Sequence, residues 1–314
     1  MTNTTPANKA EAAALAIEAR AVSKHFGALC AVDGVDLSIA RGEIFGLIGH
    51  NGAGKSTLFK MMLGLLAPSG GQITVNGVDV QGGDFRAARR AIGYLPENVV
   101  LYDNLSGLET LRFFARLKGA PLAQCQPTLE RVGLAHAGSR PVREYSKGMR
   151  QRLGFAQALL GDPQVLFLDE PTNGLDPQAI RDFYATLRGL SQQGVTIVIT
   201  SHILAELQER VGRLGIMASG KLQAVGSVHA LREQMNMALT VLAELTPAGL
   251  VAAQQKVLRL PGVTCTSAPG GLRVQCPRNR KMDVLAALTS LGSELLDLQV
   301  QEASLEDVFL GWKE

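Results

Sequence analysis

The sequence predicts an α/β chain in two parts: a larger one built on a parallel sheet, then a smaller α+β one. Three observations carry that expectation. Short runs that are apolar throughout alternate with helical stretches over residues 15–225, a glycine-rich loop joins one such run to a helix, and beyond Gly226 the pattern changes. Runs without polar alternation suit strands covered on both faces, as in parallel α/β domains. At 314 residues there is chain enough for one large core and a small one.

Residues 1–14 are small and polar and read as a disordered tail. Structure is expected from Leu15. Ile44 to Ile48, Ile92 to Leu95, Val165 to Leu168 and Val195 to Thr200 read as strands of one domain spanning 15–225. In the domain spanning 226–314, Leu239 to Leu245 is strand-like, Pro247 to Val257 helical, Val263 to Ser267 and Leu272 to Cys276 strand-like, Met282 to Leu291 helical and Leu296 to Val300 strand-like. Pro269, Gly270 and Gly271 supply the turn between the middle strands. The order β-α-β-β-α-β suggests a small ferredoxin-like sandwich.

Composition narrows the function classes. The net charge of +3, from 31 basic and 28 acidic side chains, is too even for a polyanion-binding field over the whole molecule. No apolar run approaches the roughly 18 to 20 residues that a spanning helix requires, and the first residues lack the pattern of a secretory signal. A cytoplasmic location is expected. Cys30, Cys125, Cys265 and Cys276 form no C-x-x-C pair, which points to neither a disulfide framework nor a zinc knuckle. Cys265 and Cys276 fall in neighbouring strand-like runs and can face each other.

Gly49-His50-Asn51-Gly52-Ala53-Gly54-Lys55-Ser56 fits the template G-x-x-x-x-G-K-[ST], with an apolar strand before it and a helix from Thr57 onward. In such a loop the glycines let the backbone wrap phosphates and the amides point inward at a helix start. Lys55 meets the β and γ phosphates, and Ser56 can ligate magnesium. His50 stands at a variable position, so only its backbone is expected to make contact. The chemistry implied is binding of ATP with Mg2+.

Val165 to Leu168 runs into Asp169 and Glu170. Two adjacent acids at the end of a buried strand are costly unless something uses them. Asp169 suits a water-mediated contact to magnesium, and Glu170 can polarise an attacking water.

Between these motifs, Tyr145-Ser146-Lys147-Gly148-Met149-Arg150-Gln151-Arg152-Leu153 resembles the signature segment of ATP-binding cassette transporter ATPases. Ser146 and Gly148 match the common form Leu-Ser-Gly-Gly-Gln; Tyr145, Lys147 and Met149 depart from it. Other elements resemble the family in order: Phe26 the aromatic that stacks on adenine, Gly174-Leu175-Asp176 the D-loop, His202 the switch histidine, and Tyr94-Leu95-Pro96-Glu97 the Q-loop, with Glu97 in place of glutamine. The ending Ala303 to Leu310 resembles the terminal helix of exporter-type members.

The resemblance implies a P-loop ATPase fold with a RecA-like core, an antiparallel β subdomain and a helical subdomain. It also implies a head-to-tail homodimer around two ATP molecules, in which Ser146 and Gly148 bind the γ-phosphate held by the opposite subunit. Asp176 would organise the partner's site, and Glu97 would reach the metal. A membrane permease is the expected partner, with the chain peripheral on the inner face of the membrane. Pro96 to Gly107 together with Tyr145 to Leu153 resembles the ATPases of nitrous oxide reductase maturation, which implies a periplasmic accessory protein and service to copper centres. The alternative cargo is an ion, a lipid or a drug.

A soluble cassette ATPase acting on nucleic acid is disfavoured. Only one phosphate loop occurs, and no sustained heptads separate Lys55 from Ser146. The last domain is expected to serve dimerisation or regulation.

Overall fold

The structure is a computed structural model and describes residues 15–202, 207, 208, 210–234 and 238–301, without the side chains of 232–234. The tail expected over 1–14 and the helix expected over Ala303 to Leu310 lie outside the described residues. The chain divides into two compact units between Val225 and Gly226.

The first unit runs β1 (Leu15–Phe26), β2 (Leu29–Ala40), β3 (Ile44–Ile48), α1 (Lys55–Met62), β4 (Gly70–Val75), β5 (Val78–Asp79), β6 (Ile92–Leu95), α2 (Gly107–Lys118), α3 (Cys125–Arg131), α4 (Lys147–Leu159), β7 (Val165–Asp169), α5 (Pro177–Gln192), β8 (Thr196–Ser201), β9 (Arg213–Ala218) and β10 (Lys221–Gly226). Two of the four expected strands, β3 and β6, match their expected bounds, and β7 extends one residue further, to Asp169. Strand β8 starts one residue later than expected. The Val195 amide instead bonds to Leu190 O at 3.1 Å, closing the end of α5 around Gly194.

Six strands form one sheet in the order β10-β9-β3-β8-β7-β6, and β9, β3, β8, β7 and β6 pair in parallel. Every residue of β3, β7 and β8 is buried, as continuous apolar runs require. Helix α1 packs on this sheet edge-to-face through Phe59 and Phe167, centroids 5.4 Å apart. A second sheet, order β2-β1-β4-β5, pairs antiparallel. Ile17, Val22, Val35, Ile39 and Ile73 of that sheet join Phe45, Leu58, Phe59 and Phe167 in one core.

Helices α2, α3 and α4 form a third group. Helix α2 starts with a reciprocal cap, Ser106 accepting the Glu109 amide while Glu109 accepts the Ser106 amide, and ends at Gly119 in the left-handed region. Between α3 and α4, buried Tyr145 donates its hydroxyl to Ala137 O at 2.6 Å.

The second unit contains α6 (Val228–Gln234), β11 (Leu239–Leu245), α7 (Gly249–Leu258), β12 (Thr264–Ala268), β13 (Gly271–Cys276), α8 (Lys281–Thr289) and β14 (Leu295–Gln301). From β11 on this is β-α-β-β-α-β, with sheet order β12-β13-β11-β14 and antiparallel pairs throughout. That is the ferredoxin-like arrangement. Leu239, Val241, Ala243 and Leu245 alternate inward against Ala253, Val257, Val284 and Leu288 of the helices.

The two neighbouring thiols are not directly opposite each other but offset diagonally on one face of the sheet. Cys265 pairs with Val274, whereas Cys276 pairs with Leu239. Among the described residues no group of three or more His, Cys, Asp or Glu side chains is placed to hold a metal ion, and no described helix is long and apolar enough to cross a membrane.

Candidate nucleotide site

Parallel pairing puts the C-terminal ends of β3, β6, β7 and β8 along one edge of the six-stranded sheet, where open α/β sheets bind ligands. Each end carries one of the motifs found in the sequence. The phosphate-type loop follows β3, Glu97 lies just past β6, Asp169 ends β7 with Glu170 next to it, and Ser201 ends β8 with His202 next to it.

The loop from Gly49 to Gly54 turns directly into α1. Gly54 holds φ +100°, and a β-carbon there would lie 2.5 Å from the carbonyl oxygen of Ala31. Both conformation and space therefore demand glycine. No side chain caps α1, which leaves its first amides available to an anion. Lys55 is buried and donates to Gly49 O at 2.5 Å and His50 O at 3.1 Å. Burial pushes its ammonium below the ordinary lysine range, and Glu170, Asp169 and Glu97 partly restore it.

A cavity of about 550 Å³ opens over the loop. It is lined by Phe26, Leu29, Cys30, Ala31, His50, Asn51, Gly52, Ala53, Gly54, Lys55, Ser56, Thr57, Ser219 and Gly220. Phe26 is half exposed, with Lys24 Nζ 5.2 Å from its ring centroid. A flat aromatic at one end of the cavity and a basic anion cradle at the other match a base and its phosphates.

Asp169 and Glu170 are both buried and meet at Thr200. The Thr200 hydroxyl donates to Asp169 Oδ1 at 2.5 Å and accepts the Glu170 amide at 3.0 Å. Glu170 takes φ +47°, left-handed although it is not glycine, a conformation that survives only where neighbours hold it. Its Oε2 lies 2.8 Å from His202 Nδ1. Burial pushes the Glu170 carboxyl up, while His202 and then Lys55 pull it back and Asp169 raises it. A carboxylate desolvated and oriented in this way is suited to act as a base. The hydroxyl of Ser56 and the carboxylates of Asp169 and Glu97 are oxygen donors, the set preferred by a hard divalent cation.

Glu97, Asp169, Glu170, His202, Ser146, Gly148 and Asp176 do not line this cavity; Glu170, Asp169 and Glu97 lie beside it, near enough to act on the charge of Lys55. Ser146 caps α4 by accepting the Met149 amide at 3.2 Å, and Asp176 caps α5 by accepting the Ala179 amide at 2.8 Å. Gly148 lies against Gly174, so the signature-like and D-loop-like segments touch in the same chain.

Several neighbours of the site were not singled out from sequence. Thr200 gave only the signal of a hydroxyl closing an apolar strand. Cys30, Ser219 and Gly220 carry no motif. Gln151, buried, donates to Pro171 O at 3.0 Å directly beside Glu170.

A family model described as "ABC transporter" matches residues 32–173. The chain is 36% identical over 303 residues to the daunorubicin resistance ATP-binding protein DrrA3 of Streptomyces coeruleorubidus, spanning 94% of this chain and 95% of that protein. It is 41% identical over 222 residues to the probable multidrug ABC transporter ATP-binding protein YbhF of Escherichia coli, 69% of this chain and 38% of the relative. It is also 37% identical over 291 residues to the human phospholipid-transporting ATPase ABCA7, 89% of this chain but only 14% of that protein. Among solved structures, an ATP-binding subunit of an ABC transporter superposes with TM-score 0.65 at 33% identity, covering 70% of this chain and 92% of its own.

Proposed function

Since the chain belongs to the ABC transporter family as an ATP-hydrolysing subunit, we propose that it dimerises around two ATP molecules and powers a separate membrane permease that exports a drug or a lipid. The observation that carries this reading is the row of strand ends, which brings the phosphate loop, Asp169, Glu170 and His202 to one edge of the sheet. Likeness along almost the whole length of a drug-resistance ATP-binding protein supports the cargo class.

Phe26 receives the adenine, and the amides of residues 49–54 with Lys55 receive the phosphates. Glu170 takes a proton from water attacking the γ-phosphate, with His202 fixing the carboxylate. Ser56, Asp169 and Glu97 would hold Mg2+, which when bound neutralises phosphate charge. Ser146 and Gly148, off the cavity of their own chain, serve the nucleotide of a second copy through the start of α4. Hydrolysis removes the γ-phosphate bridge between copies and lets them part. A chain docked on its permease in this way lies at the inner face of the membrane.

Of the two cargo readings left by the sequence, export of another cargo is supported by the named relatives. Service to copper centres, with its periplasmic accessory protein, finds no support among them. Glu170→Gln tests the engine: it should keep ATP binding, lose turnover at least about 100-fold, and collect as an ATP-bound dimer on size exclusion. Wild-type turnover would remove Glu170 from its role. A deletion strain tests the cargo. Drug sensitivity with intact nitrous oxide reduction supports export of a drug, and the reverse pattern restores copper-centre service.

A further inference from the structure

We propose that the α4 helix positions Glu170 of its own chain, through Gln151 by a hydrogen bond and through Lys147 by packing. The proposal rests on Glu170 being the base. Gln151 and Lys147 are positioning residues.

The turn after β7 is held from both sides. On its entry side the Glu170 amide is bonded to Thr200 Oγ1. On its exit side Gln151 Nε2 donates 3.0 Å to the carbonyl of Pro171, the residue immediately after Glu170. Pro171 has no amide hydrogen, so this carbonyl is the one backbone polar group by which that residue can be tied down. Gln151 is only 6% exposed and Pro171 is buried as well, so the bond is shielded from solvent. Three residues further on, Gly174 sits at φ +84°, and a β-carbon there would lie 2.7 Å from Lys147 Cδ. The aliphatic stem of Lys147 therefore lies flat on the Gly174 backbone. A β-carbon on Gly148 would in turn stand 3.2 Å from Gly174 O.

These contacts fix a backbone that would otherwise relax. A left-handed φ at glutamate persists only while its surroundings determine it. The Gln151 bond holds the Pro171–Thr172 peptide, one residue past that φ, at the carbonyl of Pro171. Without it the turn can rotate, and the carboxylate leaves the place 2.8 Å from His202 that its chemistry uses. Positional loss on the scale of an ångström costs a reaction on the order of 100-fold. Because Ser146 caps the helix that carries Gln151, the residue offered to one nucleotide and the base offered to the other belong to one rigid piece.

Gln151→Leu keeps the volume and removes the donor. Its kcat for ATP should fall about 10- to 100-fold, with nucleotide affinity within about twofold of wild type. Lys147→Ala, at an exposed position with little risk to folding, should lower kcat about threefold, and Lys147→Met, which keeps the stem without the charge, should restore it. Wild-type kcat in Gln151→Leu overturns the proposal. If that variant does not fold, wild-type kcat in Lys147→Ala overturns it, as does a Lys147→Met variant no better than Lys147→Ala. Turnover surviving in Glu170→Gln marks failure of the underlying assignment of the base. A dead Glu170→Gln beside an unimpaired Gln151→Leu marks failure of this inference alone.

Discussion

His202 Nδ1 stands 2.8 Å from Glu170 Oε2, a contact that orients the carboxylate and opposes the effect of burial on its protonation. Burial drives Glu170 above the usual carboxylate range, and His202 is the largest influence in the opposite sense. His202→Gln should therefore shift the acidic limb of the kcat profile to higher pH, besides lowering its plateau. A limb at unchanged pH would show that the pair does not set the ionisation of the base.

The same shift gives a stability prediction of definite sign. A carboxyl whose folded pKa is raised above its ordinary 4.5 contributes its stability below 4.5 and loses it as pH rises through the raised value. Once ionised, Glu170 thus costs the nucleotide-free fold something. Glu170→Gln should melt higher than wild type at pH 7, and the gap should close below about pH 4. Parallel melting curves from pH 4 to 8 would contradict this.

Thr200 is fully buried, and its hydroxyl joins the carboxylate of Asp169 to the backbone of Glu170. It donates to Asp169 and accepts from the Glu170 amide at once. Thr200→Val keeps the shape and orphans both groups, at about 1–3 kcal/mol for each buried group left unpaired. Urea unfolding should show a loss of that order, with turnover falling more than ATP affinity. A cost near zero would mean that the strand end relaxes freely.

The legible parts of the sequence were those whose causes are local. The phosphate loop fixes its own conformation through Gly54 and its neighbours, and β3 and β6 are apolar at almost every position because a parallel sheet is packed on both of its faces. The antiparallel sheet came from family resemblance and not from pattern. In β1 the register shifts between Ala19 and Val22, with Ala21 at φ +48°, so polar and apolar residues lose their alternation. Thr200 and Gln151 were hidden for another reason. Their partners, Asp169 and Pro171, are distant in sequence, and neither side chain differs from an ordinary strand threonine or helix glutamine until the fold is closed.

Tyr145 shows how a departure from a family pattern can be explained by packing. Its ring is buried and its hydroxyl donates to Ala137 O at 2.6 Å, a carbonyl that also accepts the Arg140 amide at 3.0 Å. Removing the hydroxyl leaves that carbonyl one partner, so Tyr145→Phe should cost only about 0.5–1.5 kcal/mol. The first residue of α2 faces the same hydroxyl, since a β-carbon on Gly107 would lie 2.2 Å from it. Gly107→Ala must therefore displace the ring or the helix in wild type, and much less so once the hydroxyl is gone. The double-mutant cycle should show Gly107→Ala less damaging in the Tyr145→Phe background, with a coupling of about 0.5–3 kcal/mol, as found for residues in contact. Additive costs in urea unfolding would mean that α2 and the segment before α4 adjust independently, and that the tyrosine hydroxyl does not dictate the glycine.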